Sequence, residues 1–291
     1  MADPRLRSAI EAQEFVLAPG VYDMISALIA DRMGFKALYV TGYGVSASHL
    51  GLPDAGLATY TDMVSRVSQI VGGTSTPVIA DGDTGYGGLL NVRQTVRGYE
   101  AAGVSAIQIE DQEYPKKCGH TPGRKVIPTK DMADKIRVAC DSRSSADLLV
   151  IARTDSRTSL GLDEALRRVD AYVEAGADVI FVEAPESEDE LIEISRRCAK
   201  PLLANMVSGG LTPVLPASRL AEIGYAIAIH PGLGFLAAGQ ALQTAFAELK
   251  DSGEVTKAPL HDFDEFCRIV GFEDIWEFDR RWAASDSKPA S

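Results

Sequence analysis

The chain has 291 residues, of which 46% are apolar and 24% are charged, a composition typical of an ordinary globular protein. Its net charge of −12, from 41 acidic and 29 basic residues, argues against general binding to nucleic acid or to anionic membranes. No apolar run approaches the roughly 18 residues of a membrane span, and the N-terminal residues lack the apolar core of a signal peptide. We therefore expect a cytoplasmic protein with no nucleic-acid or membrane partner.

Eight short apolar runs, rich in Ile, Val and Leu, alternate along the chain with amphipathic stretches. The runs are largely non-alternating, which is typical of parallel strands covered on both faces. Eight β-then-α units predict an α/β fold, a closed (β/α)8 barrel of the TIM type, with an open doubly wound sheet as the alternative. The predicted strands are Phe15–Ala18, Ala37–Thr41, Val78–Asp81, Ala106–Glu110, Leu148–Arg153, Val179–Glu183, Leu202–Asn205 and Ala226–His230.

We expect one domain, with the barrel over about residues 15–232 and a C-terminal helical extension over about 233–282. The extension contains two helical patterns, Phe235–Leu249 and Phe263–Trp282. The second pattern is rich in Phe, Ile and Trp, and so many large apolar side chains need a surface to bury against. A partner subunit is the expected surface, and the floor of the barrel is the alternative.

The third predicted strand leads into a glycine-rich turn that carries two carboxylates, Asp81 and Asp83. Residues i and i+2 of a strand share a face, so both side chains are expected to point the same way. Two adjacent anions repel each other unless a cation lies between them or one of them is protonated. Mg²⁺ is the expected cation, with Mn²⁺ as a substitute. A pair of solvated loop aspartates is the other interpretation.

Polar residues end most of the predicted strands, where a barrel of this type carries its functional residues. So many polar strand ends indicate a catalytic rim rather than simple solvation of loops. The carboxylates expected to hold the metal are Asp81, Asp83 and Glu110, with Asp54 as an outer member through water. Arg153 is suited to clamp a carboxylate with two hydrogen bonds. The other rim residues expected to bind or orient an anionic substrate are Thr41, Gly42, Tyr43, Glu183 and Asn205.

A long basic segment, Glu113–Lys125, follows the fourth predicted strand and is punctuated by Pro and Gly. Within it Cys118 is preceded by Lys116 and Lys117 and followed by His120, surroundings that lower the pKa of a thiol. We expect a mobile lid that brings an acid–base thiol over the rim, with a surface loop and an incidental cysteine as the alternative. The remaining cysteines lie in helical patterns and are expected to be packing residues.

Several of these segments together resemble the isocitrate lyase/phosphoenolpyruvate mutase superfamily. The segment Lys116-Lys-Cys-Gly-His120 is the most specific, because it is typical of the lyase branch. The resemblance implies an α/β barrel with Mg²⁺, a gating loop and a homotetramer, a dimer of dimers that exchanges its C-terminal helices. The other matching motifs are Thr41-Gly-Tyr-Gly, Leu50-Gly-Leu-Pro-Asp54, Asp81-Gly-Asp83-Thr-Gly-Tyr-Gly, Ile109-Glu-Asp-Gln112, Ala152-Arg-Thr-Asp155 and Phe181-Val-Glu-Ala184.

The resemblance also implies which residues meet the substrate. Cys118 matches the thiol that protonates the departing carbanion in the lyases, and the adjoining Gly119 and His120 are expected to bind substrate. Gln108 and Tyr43 depart from the pattern of methylisocitrate lyases. The chain is most similar in pattern to the group that contains dimethylmalate lyase and the petal death protein. The expected partners are small 2-hydroxy and 2-oxo carboxylic acids.

We therefore expect a Mg²⁺-dependent oxo-acid-lyase that cleaves an alkylmalate such as 2,3-dimethylmalate in a retro-aldol sense, releasing pyruvate and a carboxylate. Cys118 and Arg153 are expected to be catalytic, whereas the base is either Tyr43 or a metal-bound water. Methylisocitrate lyase and oxaloacetate acetylhydrolase or decarboxylase are the alternatives within the superfamily. A non-catalytic binding protein on the same fold is the alternative from another class.

Overall fold

Eight parallel strands close into a barrel in the computed structural model, which describes residues 2–283. Each strand pairs with the next along the chain, and β1 pairs with β8 through residues such as Ala18 and Ile229. The closure confirms the predicted barrel and excludes the open doubly wound sheet. The strands are β1 (Val16–Val21), β2 (Leu38–Val40), β3 (Val78–Asp81), β4 (Ala106–Glu110), β5 (Leu149–Thr154), β6 (Val179–Val182), β7 (Leu202–Asn205) and β8 (Ile227–His230).

Helices follow the strands and complete the (β/α)8 arrangement. Helix α1 precedes the first strand and was not predicted; its Leu6 is fully buried against the barrel interior. A one-turn π-helix, Ser46–Leu50, continues directly from α3. The helices are α1 (Arg5–Glu11), α2 (Met24–Asp31), α3 (Gly42–Val45), α4 (Tyr60–Gly73), α5 (Leu89–Ala102), α6 (Thr129–Ser142), α7 (Ser156–Leu160), α8 (Leu162–Glu174), α9 (Glu188–Arg197), α10 (Ala217–Ile223), α11 (Leu233–Ser252), α12 (Phe263–Ile269) and α13 (Phe272–Ala283).

Strand β1 runs three residues beyond its predicted end at Ala18. The sequence Pro19-Gly20 signals a turn, but the structure keeps both residues in the strand. Pro19 pairs with His230 of β8, and Gly20 pairs with Tyr39 of β2. Partners on both sides therefore override the local turn preference.

Two apolar layers cover the two faces of the strands. One lies inside the barrel and contains inward-facing residues such as Ile79, Ile151 and Phe181. The other lies between the strands and the helices and contains residues such as Ile107, Val150 and many helix side chains. Because both faces of every strand meet a core, the strands carry the continuous apolar runs seen in the sequence.

The chain divides into two compact units, residues 1–236 and 237–291. In the second unit the predicted single helix over Phe263–Trp282 is wrong, since the chain forms α12 and α13 instead. Gly271 separates them with a φ of 92°, a left-handed conformation that glycine adopts at little cost and that ends a helix. Within residues 2–283, no helix is both long enough and apolar enough to cross a bilayer.

Candidate active site

A cavity of about 220 Å³ opens at the C-terminal ends of the strands. Most of the predicted site residues line it, although they come from five strand ends and two separate loops. Gly42, Asp83 and Glu110 lie beside it and contact lining residues. The predicted residues in the lining are Thr41, Tyr43, Asp54, Asp81, Cys118, Gly119, His120, Arg153, Glu183 and Asn205.

Asp81, the last residue of β3, and Asp83 are both buried, but they do not share a strand face as expected. The strand ends at Asp81, and Asp83 follows with a φ of 47°, in the left-handed region. The Asp81 Oδ1 atom accepts a hydrogen bond from the Asp83 N–H at 3.1 Å. This local turn explains the difference, because an aspartate side chain readily bonds the backbone two residues ahead.

Lys116 of the lid places its ammonium group inside the acidic cluster. Its Nζ lies 2.6 Å from Asp83 Oδ1 and also pairs with the Asp54 carboxylate. Burial opposes the charge on Lys116, yet Asp83 and Asp54 keep the pKa of this lysine well above its usual value. In the sequence Lys116 was only a neighbour of Cys118; its pairing depends on the lid lying over the rim.

The acidic cluster contains carboxylates that suit an oxygen-binding cation. Burial raises the pKa of Asp83 to about 6 and raises that of Glu110 well above its usual value. Glu110 Oε1 is buried and has no hydrogen-bond partner within residues 2–283. No group of three His, Cys, Asp or Glu side chains in that range converges as a ready metal site. The donors are nevertheless the hard oxygen ligands that Mg²⁺ uses one or two at a time, beside water and substrate.

Arg153 is the buried cation at the centre of the rim. Its Nη2 lies 3.1 Å from Glu183 Oε2, and its Nε lies 3.4 Å from Glu110 Oε2. It also forms a two-point ion pair with Asp155, and its guanidinium lies 5.1 Å from the centre of the Phe181 ring. Although burial opposes the charge, these carboxylates hold the pKa of Arg153 well above its usual value.

The lid lies closed over this rim. The Cys118 N–H donates to the Asp54 carbonyl at 3.0 Å, and His120 Nδ1 accepts from the Leu211 N–H at 3.3 Å. A Cβ atom on Gly119 would lie 2.4 Å from Arg153 Nη2. Only glycine allows the lid backbone to approach the guanidinium so closely.

The thiol of Cys118 does not have the lowered pKa expected from its sequence neighbours. Burial is the main cause that raises its pKa, and the nearby Asp54 adds to the effect. Lys116 is already paired with carboxylates, and Lys117 directs its Nζ towards the Gly123 carbonyl at 3.5 Å. The expected lowering is therefore wrong, and the thiol stays protonated at neutral pH.

In the segment after β2, two backbone N–H groups already donate to side chains of the protein. The Gly42 N–H donates to Asp81 Oδ2 at 3.3 Å, and the Gly44 N–H donates to Thr41 Oγ1 at 3.5 Å. The ring of Tyr43 packs on Phe235, with 4.9 Å between ring centres. Tyr43 thus borders the cavity on its apolar side.

An apolar wall completes the cavity, and the sequence analysis did not identify it. The available signal was the segment after β8, where Pro231-Gly232 turns the chain and Phe235 and Leu236 follow. The apolar wall lines the same cavity as the polar rim, and its Phe235 packs on Tyr43 of that rim. Its residues are Val207, Ile229, Pro231, Phe235 and Leu236.

Known proteins share both the sequence pattern and the fold. The family model described as phosphoenolpyruvate phosphomutase matches residues 6–250. The chain is 46% identical to the 2,3-dimethylmalate lyase of Eubacterium barkeri, over 96% of this chain and 97% of that protein. It is 44% identical to a 2-methylisocitrate lyase of Aeropyrum pernix, over 92% of this chain and 87% of that protein.

Solved structures agree with these relatives. An oxaloacetate acetylhydrolase in complex with 3,3-difluorooxalacetate superposes with a TM-score of 0.91 at 34% identity, covering 96% of both chains. A phosphonopyruvate hydrolase complex with oxalate and Mg²⁺ superposes with a TM-score of 0.87 at 29% identity, covering 97% of this chain and all of the other. The chain belongs to the phosphoenolpyruvate phosphomutase family, within the phosphoenolpyruvate mutase/isocitrate lyase superfamily.

Proposed function

We propose that the protein is a Mg²⁺-dependent carbon–carbon lyase that cleaves an alkylmalate such as 2,3-dimethylmalate. The products are a 2-oxo acid, pyruvate in this example, and a carboxylate. The observation that carries the proposal is one cavity lined by both charged and apolar side chains. Arg153, Asp81 and Cys118 supply polar groups, and the apolar wall, which includes Val207 and Leu236, offers contact to alkyl groups.

The charge of the cavity favours a dicarboxylate over a tricarboxylate. Arg153 is the one arginine among the described lining residues, and Lys116 is already paired with two aspartates. A third substrate carboxylate would find no further arginine or lysine among the described lining residues, and a buried charge without a partner is costly. The charge of the lining therefore favours an alkylmalate over 2-methylisocitrate, and the relative from Eubacterium barkeri is a 2,3-dimethylmalate lyase.

The rim residues have separable roles in this reaction. Asp81, Asp83 and Glu110 would hold Mg²⁺, which when bound supplies positive charge that stabilises the oxyanion of the substrate. Arg153 binds a substrate carboxylate, and Asn205 orients that carboxylate. Glu183 holds both side chains, through an ion pair with Arg153 at 3.1 Å and a hydrogen bond from Asn205 Nδ2 at 3.0 Å. The proton of the 2-hydroxyl group passes to a base, which is either Tyr43 in its phenolate form or a water molecule held at the acidic cluster. The C2–C3 bond then breaks, and its electron pair stays on C3.

Cys118 completes the reaction by donating its thiol proton to C3. Burial raises the pKa of the thiol, so the group carries the proton that this step requires. The closed lid excludes water, which would otherwise protonate the carbanion without control. Thiolate formed in this step regains its proton when the lid opens.

A panel of substrates tests the proposal. Purified protein is assayed with 2,3-dimethylmalate, 2-methylisocitrate, isocitrate and oxaloacetate, each with EDTA or with added Mg²⁺. We expect pyruvate release from 2,3-dimethylmalate, loss of activity with EDTA, and recovery when Mg²⁺ is restored. Release of oxalate and acetate from oxaloacetate, without turnover of alkylmalates, would instead identify an acetylhydrolase. No turnover of any acid would favour the binding-protein alternative.

We also propose that the protein is a homotetramer whose C-terminal helices are exchanged between subunits. In the second unit, large apolar side chains of α12 and α13 are exposed, among them Phe263, Phe272, Ile275 and Phe278. Exposed apolar area of this extent is typical of a subunit interface. Light scattering after size exclusion should give four times the monomer mass of 31.1 kDa. A cytoplasmic location stays a prediction from the sequence.

A further inference from the structure

Arg124 is a buried arginine of the lid that the proposed chemistry does not use. Its side chain is 3% exposed, although it belongs to the polar segment Glu113–Lys125. Its Nη1 donates to Asp155 Oδ1 at 2.9 Å, and its Nη2 donates to Thr158 Oγ1 at 2.8 Å. Both acceptors follow strand β5, so Arg124 ties the C-terminal part of the lid to the barrel.

The carboxylate of Asp155 serves two arginines at once. Its Oδ1 accepts from Arg124 Nη1 and from Arg153 Nη2, each at 2.9 Å, while its Oδ2 accepts from Arg153 Nε at 2.8 Å. Asp155 is fully buried, and its N–H donates to Asp111 Oδ1 at 2.8 Å. One rigidly held carboxylate therefore joins a lid residue to the arginine that faces the cavity.

We propose that Arg124 is a positioning residue that latches the closed lid to the barrel and fixes Arg153 through Asp155. The proposal rests on the proposed function, because the same lid carries Cys118 to the cavity. Arg124 and Arg153 share the Oδ1 atom, so the arrival of Arg124 limits how far Arg153 turns towards Asp155. The Nη2 group of Arg153 is thereby directed at Glu183 and the cavity.

The shared carboxylate also makes the latch reversible. Breaking a buried ion pair is costly when it leaves a charge without a partner. When the lid opens, Arg124 enters water, where its charge is hydrated, and Asp155 keeps its two-point pair with Arg153. Neither charge is left alone in the interior, so the lid can close firmly and still open in each turnover.

Hydrogen exchange of the lid tests the latch without any substrate. We compare wild-type protein with Arg124→Met and with Lys125→Gln, which changes the exposed neighbouring lid residue. Arg124→Met should speed amide exchange across residues 113–126 by about tenfold, as expected when a lid loses an anchor, and Lys125→Gln should not. Wild-type exchange rates in Arg124→Met would overturn the latch. This result does not depend on which acid the enzyme cleaves.

Kinetics test the coupling to Arg153. With 2,3-dimethylmalate and Mg²⁺, Arg124→Met should lower kcat about 100-fold and raise KM about tenfold, since lid anchors affect both constants. Arg124→Lys should recover about a tenth of wild-type kcat, because lysine offers Asp155 a charge without the planar fork. Thr158→Val, on an exposed side chain, should stay within about threefold of wild type.

These outcomes separate the two proposals. If the wild-type protein cleaves no alkylmalate, the proposed function fails, and the exchange experiment still decides the latch. Faster exchange in Arg124→Met with wild-type kcat and KM would overturn the coupling to Arg153. Equal kinetic losses in Arg124→Met and Arg124→Lys, with wild-type exchange in both, would overturn the whole inference.

Discussion

The two ends of the barrel interior are built from the same strands and differ in chemistry. Along β5, the inward positions change from Leu149 and Ile151 to Arg153. The chain through β6 shows the same change, from Phe181 to Glu183. All of these residues are buried, so exposure to solvent does not explain why one end is apolar and the other charged.

The difference shows that burial has opposite consequences at the two ends. At the apolar end, each Å² of apolar surface removed from water contributes roughly 25 cal/mol to stability. At the charged end, burial opposes ionisation, and Arg153 keeps its charge because it pairs with Glu110, Asp155 and Glu183. Pre-oriented charges held in a dry site are suited to catalysis. The following variants test this division, from the largest expected effect to the smallest.

Arg153→Met should have the largest effect, because it damages stability and activity together. Removing the guanidinium takes a shared cation away from three buried carboxylates, of which Asp155 keeps its pair with Arg124, and should cost about 3–5 kcal/mol of the free energy of unfolding. Turnover of 2,3-dimethylmalate should become undetectable. Urea denaturation and pyruvate release measure the two losses. Wild-type stability would contradict the view that this charge holds the rim together.

Cys118→Ala should remove activity and spare the fold. Loss of a general acid should lower kcat by about 10³-fold, a rise of about 4 kcal/mol in the barrier, while the midpoint of urea unfolding stays unchanged. Cys140→Ala is the matched control, since that half-buried thiol donates to the Gly176 carbonyl and is not among the residues that line the cavity. A fully active Cys118→Ala enzyme would disprove the acid assignment.

Leu6→Ala, at the apolar end, should lower stability and leave activity unchanged. The side chain is fully buried against the barrel interior, so its loss should lower the free energy of unfolding by about 3 kcal/mol. The kcat/KM of the folded enzyme should stay within about twofold of wild type, because Leu6 is remote from the rim. Leu90→Ala, at a 75% exposed position, serves as the control for both measurements.

Tyr39→Phe should have the smallest effect on stability and activity, because it removes a single hydrogen bond. Tyr39 lies between the apolar and the charged end of the barrel interior. Its hydroxyl donates to Gln108 Oε1 at 3.2 Å, and Gln108 Nε2 donates to Asp81 Oδ1 at 3.3 Å. Losing the hydroxyl should cost about 1 kcal/mol of stability and lower kcat/KM severalfold. Tyr225→Phe, whose hydroxyl bonds the Leu191 carbonyl at 3.5 Å, should lose stability alone. Equal kinetics in both variants would argue against a link through Gln108.

The sequence by itself determined the barrel and the position of its rim. Apolar runs and polar strand ends are local properties, and they identified β3, β4 and β7 with the observed bounds. Motif resemblance then brought together Cys118 and Arg153, which line one cavity in the structure.

Only the tertiary structure decided the pairing and ionisation of these groups. Lys116 forms ion pairs with Asp54 and Asp83, burial raises the pKa of the Cys118 thiol, and Asp155 is shared by two arginines. Pairing and desolvation depend on residues that are distant in the chain and meet only when the lid lies over the barrel. The sequence alone cannot show such contacts. Lys116 and Lys117 are adjacent to Cys118 in the chain and suggest a lowered thiol pKa, but in the fold both lysines contact other groups.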